Sequence, residues 1–311
     1  NGHEVLIWSH DQAITDGINS QHENKALLPG IKLPEKVTST TSLDKACEGA
    51  GLIVLVVSSK FYASMVDRMK SLVRPPAFIV SATKGLNEAD NKRVSEVLYK
   101  GLPESCRDKI AVLSGPNISR EIALRKPSAT VISSRSNHIA AGIQKLFNSR
   151  YFRVYTNTDV IGTELGGILK NIIAIAGGII DGMELGDNAK SAVMVRGLVE
   201  ISRFAVNFGA KPETFNGLAG MGDLITTCSS TLSRNHYVGE HLGKGMKLSE
   251  ILPRMEAVAE GVRTTRLIYR MAKEAGIEMP VTEQVYQVLF EDKPVRKAIE
   301  DLMSRDIRPE A

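Results

Sequence analysis

The sequence has 311 residues, which is enough for one large domain or for two ordinary domains, each with its own core. Apolar residues make up 43% of it and charged residues 24%, proportions typical of a globular protein. A formal net charge of +4 and a single tryptophan give no support for a nucleic-acid-binding surface, which needs a basic footprint and aromatic side chains for base stacking.

The three cysteines, Cys47, Cys106 and Cys228, lie far apart and form no Cys-x-x-Cys pair. This pattern predicts reduced thiols in a cytoplasmic protein, with no metal site and no disulfide framework. The N-terminal residues show neither the basic region nor the apolar run of a signal peptide. The longest apolar stretch, residues 160–180, contains ionisable side chains that would be costly in lipid, so it predicts a buried helix and not a membrane span.

The first half of the chain alternates short β-branched runs with stretches of helical periodicity. Continuous apolar strands separated by helices indicate a parallel sheet covered on both faces. We therefore predict an α/β domain with a Rossmann-like doubly wound parallel sheet over residues 1–157. The predicted strands are residues 4–8, 52–57, 77–80, 110–113 and 129–132, and the predicted helices are 61–72, 91–99 and 137–147.

Strand signals stop near residue 159, and helical patterns separated by glycine and proline follow. They predict an all-α C-terminal domain over residues 158–311. Its predicted helices are residues 164–180, 189–208, 213–220, 222–228, 238–244, 264–275 and 282–290.

The first predicted strand is followed directly by Ser9-His10-Asp11, and the sequence contains no Gly-x-Gly-x-x-Gly. In a Rossmann unit that glycine fingerprint follows strand one, and the residue that meets the adenosine ribose follows strand two. We therefore interpret residues 4–8 as the second strand, with about 25 residues of the first βαβ unit outside this sequence. The alternative is that the fold begins here. His10 followed by Asp11 leaves the choice between NAD and NADP open, because an acid favours NAD and a histidine tolerates a 2′-phosphate.

Two other strand ends carry polar or flexible residues. Lys84 follows the buried strand at 77–80, where a flexible ammonium suits a phosphate or a carbonyl oxygen. Gly115 in Ser114-Gly115-Pro116-Asn117 allows close backbone approach at a strand-to-helix turn whose exposed amides suit an anion. An ordinary surface lysine and an ordinary turn would have the same local sequences.

The strongest local anomaly is Lys170-Asn171 inside an apolar helix with glycines on both sides. Burial of a lysine lowers its pKa and suits it to proton transfer near neutral pH. The alternative is a lysine whose ammonium reaches out to solvent at the edge of the helix.

Two more polar clusters lie in the predicted helical domain. Asp223 and Thr227 are four residues apart and so share one face of a helix, where they can bind a polyol or orient a lysine. In Ser233-Arg234-Asn235, the guanidinium can bind a phosphate through two hydrogen bonds, with its neighbours as further donors.

Together these stretches resemble the bacterial-type NAD(P)-dependent glycerol-3-phosphate dehydrogenases over nearly the whole chain. Their joint occurrence in this order is more specific than any one of them. The segments that carry the resemblance are 82–86, 114–116, 165–171, 186–189, 196–198, 220–224, 233–235, 258–261 and 278–283.

The resemblance implies a hydride transfer between sn-glycerol 3-phosphate and dihydroxyacetone phosphate with NAD or NADP, which supplies glycerol 3-phosphate for phospholipid synthesis. It makes Lys170 the catalytic proton acceptor, and it also implies a homodimer. Implied substrate-binding residues are Lys84, Gly115, Asn117, Asn171, Asp223, Thr227, Ser233, Arg234 and Asn235; implied cofactor-binding residues are His10, Lys84, Ser119, Arg234, Val258 and Glu260.

This sequence departs from the family pattern at two of these positions. Asn117 stands where the family usually has Ser or Thr, and Ser119 stands where Ala is common. Two other functions fit the same organisation: a related two-domain 3-hydroxyacid or ketopantoate-type dehydrogenase acting on a carboxylate, and a non-catalytic dinucleotide-binding protein.

Overall fold

The computed structural model describes residues 2–255, 258–307 and 309, so Asn1 of the opening segment lies outside the described residues. The chain forms two compact units. Unit 1 contains residues 1–83, 87–113 and 117–160, and unit 2 contains residues 84–86, 114–116 and 161–311. The short segments around Lys84 and Gly115 therefore belong to unit 2. The assignment of dinucleotide binding to residues 1–157 and of substrate binding to residues 158–311 stays a prediction.

Unit 1 is built on parallel strands in two sheets. One sheet is the pair β1–β2, and the other has five strands in the order β3-β4-β5-β6-β7. The pairs β1–β2, β3–β4, β4–β5 and β6–β7 are parallel. The predicted Rossmann-type α/β architecture is confirmed. The strands are β1 (Val5–Trp8), β2 (Val37–Thr40), β3 (Leu52–Leu55), β4 (Phe78–Ser81), β5 (Ile110–Ser114), β6 (Ser128–Ser133) and β7 (Phe152–Asn157).

Helices follow most of these strands and pack on them through two apolar clusters. Tyr62, Ile79 and Leu98 are central to the first cluster, and Ile132 and Ile143 are central to the second. Burial of each such side chain stabilises the unit by about 1.5–3 kcal/mol. The helices are α1 (Gln12–Gln21), α2 (Leu43–Cys47), α3 (Tyr62–Met69), α4 (Val94–Gly101), α5 (Glu104–Arg107), α6 (Ser119–Ala123) and α7 (Asn137–Phe147), with a 3-10 turn at Ser59–Phe61.

The sequence did not predict five elements of unit 1, namely β2, β7, α1, α2 and α5. β2 reads Val-Thr-Ser-Thr and lacks the apolar run of a buried strand. Its Ser39 is nevertheless buried, because the hydroxyl donates to the carbonyl oxygen of Ile7 at 3.0 Å and lies 3.2 Å from that of Thr15. Hydrogen bonds to neighbouring elements therefore satisfy a polar strand that local periodicity does not reveal.

The second half of the chain is helical in the described residues, as predicted. The predicted helix at 213–220 is instead a 3-10 turn at Pro212–Asn216 followed by a π-helical turn at Leu218–Gly222. The short helix at Leu248–Ile251 and the last helix at Val295–Met303 were not predicted. The helices are α8 (Val160–Gly182), α9 (Gly186–Asn207), α10 (Asp223–Ser229), α11 (Arg234–Gly243), α12 (Leu248–Ile251), α13 (Glu260–Glu274), α14 (Pro280–Phe290) and α15 (Val295–Met303), with a 3-10 turn at Leu252–Arg254.

α8 is the central helix of unit 2. Among the described residues it alone has the length and apolar composition of a membrane-crossing helix, and 89% of that apolar stretch is buried. The burial predicted for this stretch is therefore confirmed, and α8 supplies much of the main apolar cluster of unit 2, including Ile168, Ile172 and Ile175.

α8 and α11 cross at very short range because each presents glycines spaced four residues apart. A methyl group at Gly178 or Gly182 would overlap backbone atoms of α11, and one at Gly239 or Gly243 would overlap backbone atoms of α8. The two backbones are therefore in direct contact. This close crossing fixes how far the first turn of α11 lies from the polar centre of α8.

Candidate active site

Lys170 lies in the middle of α8 and is only 6% exposed. Its ammonium donates to Oδ1 of Asp223 and to the hydroxyl of Thr227, the latter at 2.6 Å. Burial of an unpaired charge would be costly, and these two partners on α10 offset that cost. The predicted buried lysine is confirmed, and the alternative in which its ammonium reaches solvent is excluded.

Asp223 and Thr227 lie on one face of α10, as their spacing predicted. Asp223 is 1% exposed. The Thr227 hydroxyl donates to the carbonyl oxygen of Asp223 at 2.6 Å, so its lone pairs are free to accept from Lys170. This bond fixes the rotamer of Thr227 and directs its oxygen at the lysine.

Lys84 also binds Asp223. Its ammonium donates to Oδ2 of that carboxylate at 2.6 Å and to the carbonyl oxygen of Gly115 at 3.1 Å. The glycine at 167 leaves room for the segment before Gly115, because an added methyl group would overlap the Ser114 hydroxyl. Two ammonium groups therefore share one carboxylate, and a charged Lys170 would leave the cluster with one excess positive charge.

The pKa of Lys170 is lowered from 10.5 to about 7. Burial is the largest cause, and the positive charge of Lys84 is the second; the carboxylate of Asp223 opposes both. The neutral and charged forms of the amine are therefore both populated near neutral pH. Such a group can accept a proton and give it back without a large free-energy cost.

Asn171 and Asn235 form a buried amide pair beside this cluster. The amide nitrogen of Asn235 donates to Oδ1 of Asn171 at 2.9 Å, and the backbone N–H of Gly261 donates to Oδ1 of Asn235 at 2.9 Å. Each asparagine is 7% exposed. This chain of hydrogen bonds joins α8, α11 and the start of α13.

The first turn of α11 contains the predicted phosphate-binding residues. Ser233 caps this helix, and its hydroxyl accepts from the N–H of His236 at 3.2 Å. Arg234 is exposed, and no described residue forms a hydrogen bond or an ion pair with its guanidinium. Its planar set of donors is thus available to an anion.

The remaining predicted residues of unit 2 lie at the start of α13. Val258 is 69% exposed and follows two residues that are not described. Glu260 is the first residue of α13, next to Gly261, whose N–H binds Asn235. The sequence did not predict that Gly261 takes part in this hydrogen-bond network. The bond is made by a backbone N–H, which every residue except proline has, so no sequence signal marks it.

The other predicted site residues belong to unit 1. His10 is exposed after β1, and the carboxylate of Asp11 is engaged as the cap of α1, accepting from the N–H of Ala13 at 2.8 Å. Ser119 is exposed as the first residue of α6. Asn117 donates to the Thr130 hydroxyl at 3.0 Å, and its buried Oδ1 has no partner in the described part of the chain.

No group of three or more His, Cys, Asp or Glu side chains among the described residues is arranged to hold a metal ion. The polar centre of unit 2 is instead made of two lysines, one aspartate, one threonine and two asparagines. Amines, amides and hydroxyls of this kind can bind an oxygen-rich organic anion, and a neutral amine can accept a proton from it.

Comparisons with known proteins cover both halves of the chain. Residues 1–140 match the family model described as NAD-dependent glycerol-3-phosphate dehydrogenase N-terminus, and residues 159–300 match the one described as its C-terminus. The chain is 45% identical to a glycerol-3-phosphate dehydrogenase (NAD(P)+) of Geobacter sulfurreducens, over 99% of this chain and 92% of the relative. It is 46% identical to that of Bacillus cytotoxicus, over 98% and 89%. A crystal structure of glycerol-3-phosphate dehydrogenase from Coxiella burnetii superposes with a TM-score of 0.91 at 36% identity, covering 98% of this chain and 92% of that one.

Proposed function

This chain belongs to the NAD-dependent glycerol-3-phosphate dehydrogenase family, and we infer from this that it interconverts sn-glycerol 3-phosphate and dihydroxyacetone phosphate with NAD or NADP. The observation that carries the assignment to this site is the buried Lys170, which is held by Asp223 and Thr227 and whose pKa lies at about 7. A base with that pKa suits the oxidation of a secondary alcohol at neutral pH.

Lys170 is the proposed catalytic residue. A hydride can leave C2 of glycerol 3-phosphate only if the C2 hydroxyl loses its proton, and the neutral amine of Lys170 accepts that proton. In the reverse direction the ammonium gives the proton to the carbonyl oxygen. Bound NAD(P) supplies the carrier of the hydride. Thr227 and Asp223 direct the nitrogen of Lys170.

Lys84 and Asp223 set the net charge around Lys170. While Lys170 is neutral, the charges of Lys84 and Asp223 cancel. Negative charge that develops on the C2 oxygen is then stabilised by the ammonium of Lys84, which is proposed to contact both substrate and cofactor. Gly115 lies beside it because its carbonyl oxygen accepts from Lys84 at 3.1 Å.

The phosphate of the substrate is proposed to bind the first turn of α11. The guanidinium of Arg234, which no described residue binds, supports this, with Ser233 and Asn235 as neighbours and Asn171 bonded to Asn235. The phosphate does not react, so its binding free energy serves to hold C2 against the base. Asn117 is also proposed to line the substrate site, and its Oδ1, which has no partner among the described residues, is an acceptor suited to a hydroxyl.

The dinucleotide is proposed to bind the α/β unit, residues 1–157, while the helical residues 158–311 bind substrate. Parallel strands with polar residues at their carboxyl ends fit such a cofactor. His10 is available there, whereas Asp11 is engaged in capping α1. The remaining proposed cofactor contacts are Lys84, Ser119, Arg234, Val258 and Glu260.

Three wider properties follow from family membership as proposals. The enzyme is proposed to act in the cytoplasm on a small phosphate ester, as a homodimer, and to supply glycerol 3-phosphate for phospholipid synthesis. The three cysteines are free and buried, which fits a reducing compartment.

A substrate panel tests the proposed activity. NAD(P)H oxidation should be fast with dihydroxyacetone phosphate and negligible with ketopantoate or a 3-oxoacid. Lys170→Met should remove most of kcat while dinucleotide binding persists. Faster turnover of a carboxylate substrate would favour the ketopantoate-type alternative, and dinucleotide binding without any NAD(P)H oxidation would favour the non-catalytic one.

A further inference from the structure

His236 follows directly after the proposed phosphate-binding residues, and the proposed reaction gives it no part. It is 5% exposed, and its Nε2 lies 2.6 Å from Oδ2 of Asp181 in the last turn of α8. Lys190 of α9 donates to the same oxygen at 2.5 Å. A buried imidazole needs a hydrogen-bond partner, so this contact restricts the direction in which His236 points.

Asn235 and His236 are consecutive residues that bind two distant points on α8. Asn235 binds Asn171, and His236 binds Asp181. Ten residues of α-helix separate those two partners, which corresponds to about 15 Å along the axis. The backbone of His236 meets α8 between them, against Gly178. The two side chains therefore reach along α8 in opposite directions from one contact point.

The glycine crossing and the two polar contacts restrict different motions. Backbone contact at the glycines fixes the distance between α8 and α11, but such packing is only weakly directional. A single polar contact at Asn235 would still allow α11 to turn about that point. The second contact, between His236 and Asp181, lies about 15 Å further along α8 at a helical rise of about 1.5 Å per residue. It prevents α11 from turning about the first contact.

We propose that the Asp181–His236 pair is a positioning device for the substrate phosphate. It holds the first turn of α11 in the rotation that presents Arg234 and Asn235 to the substrate. Neither member of the pair touches the substrate; both act through residues 233–235. The inference rests on the proposed function of those residues.

Steady-state kinetics of His236→Ala and Asp181→Asn test this role. Each variant should raise KM for glycerol 3-phosphate about tenfold and leave kcat within about threefold, because the binding of the remote phosphate is weakened and the reacting groups are not. His236→Gln should restore part of the lost affinity, since its amide can donate to Asp181. Asp181→Asn is nearly isosteric with the wild-type residue, so it provides the same kinetic test if His236→Ala does not fold.

Lys190→Met is the matched control, because it removes the other partner of the same carboxylate without changing α11. Its KM for glycerol 3-phosphate should stay within about twofold of the wild-type value. A lowered Tm with unchanged KM in both His236→Ala and Asp181→Asn would overturn the proposal and leave a purely structural pair. An equal rise of KM in Lys190→Met would also overturn it. Failure of the proposed function would appear separately, as a wild-type enzyme inert towards glycerol 3-phosphate.

Discussion

Lys84 and Lys170 donate hydrogen bonds to different oxygens of a single carboxylate, that of Asp223. These lysines lie 139 and 53 residues from Asp223 in the chain. One anion between two cations leaves an excess positive charge when both amines are protonated. The cluster therefore favours loss of the proton from the more deeply buried amine, Lys170.

The rate of glycerol 3-phosphate oxidation should rise with pH through about 7. The pKa of Lys170 is lowered to about 7, so its neutral form, the base for oxidation, is populated above that value. Reduction of dihydroxyacetone phosphate needs the ammonium and should fall over the same range. Lys84→Met should move the midpoint of kcat for oxidation to higher pH, because the variant removes a positive charge that lowers the pKa of Lys170.

Lys92→Met is the control for that shift, since Lys92 is half-buried, pairs with Asp90 and is not among the charges that move the pKa of Lys170. Its pH profile should coincide with that of the wild-type enzyme. A midpoint in Lys84→Met that stays in place or moves to lower pH would contradict the charge assignment.

Thr227→Val should lower kcat by about one to two orders of magnitude. It removes a hydrogen bond to Lys170, the proposed base, so the amine is less firmly oriented. Thr226→Val is the neighbouring control and should keep most of the activity. Single-turnover measurement of NAD(P)H oxidation separates this effect from product release. Equal losses in the two variants would indicate that α10 itself had been disturbed.

At the crossing of α8 and α11, stability should be sensitive to an alanine substitution at Gly178 and tolerant of one at Gly177. Gly178→Ala places a methyl group on backbone atoms of α11 and should lower the free energy of unfolding by about 1–3 kcal/mol or more. At Gly177 an added methyl group makes ordinary contact with Cys228, so Gly177→Ala should be neutral or stabilising by up to about 1 kcal/mol. Urea unfolding of both variants checks this. Similar unfolding midpoints would mean that the helices can separate without cost.

Glu200 should make the protein less stable as pH rises from 4.5 to about 7. Burial raises its pKa to about 7, although the carboxylate accepts from Val281 and from the N–H and hydroxyl of Thr282 at the start of α14. Over that window the folded chain binds a proton that the unfolded chain has released. The free energy of unfolding therefore falls with pH, by at most about 1.4 kcal/mol per unit from this group.

Glu200→Gln should flatten that dependence, as measured by denaturant unfolding at several pH values. The exposed Glu213→Gln is its control and should keep the wild-type slope. An unchanged slope in Glu200→Gln would show that another group titrates in this range.

The local periodicity of apolar residues was sufficient to predict much of the fold. The apolar runs predicted β3 to β6, and the long apolar stretch predicted α8 as a buried helix. The spacing of Asp223 and Thr227 predicted their shared helix face. These features depend on residues within one element, so the sequence pattern contains them. β2 was missed because its buried Ser39 is satisfied by a hydroxyl of the neighbouring helix and a backbone carbonyl of the neighbouring strand.

The sequence alone identified Lys170 as an unusual buried lysine and gave the order of residues that marks the family. It did not show which of these residues contact one another in the folded protein. The two bonds of Asp223, the amide pair of Asn171 and Asn235, and the contact between Asp181 and His236 each join residues more than 50 positions apart. Only tertiary packing decides such contacts, because they depend on the crossing of α8, α10 and α11 and not on any local pattern.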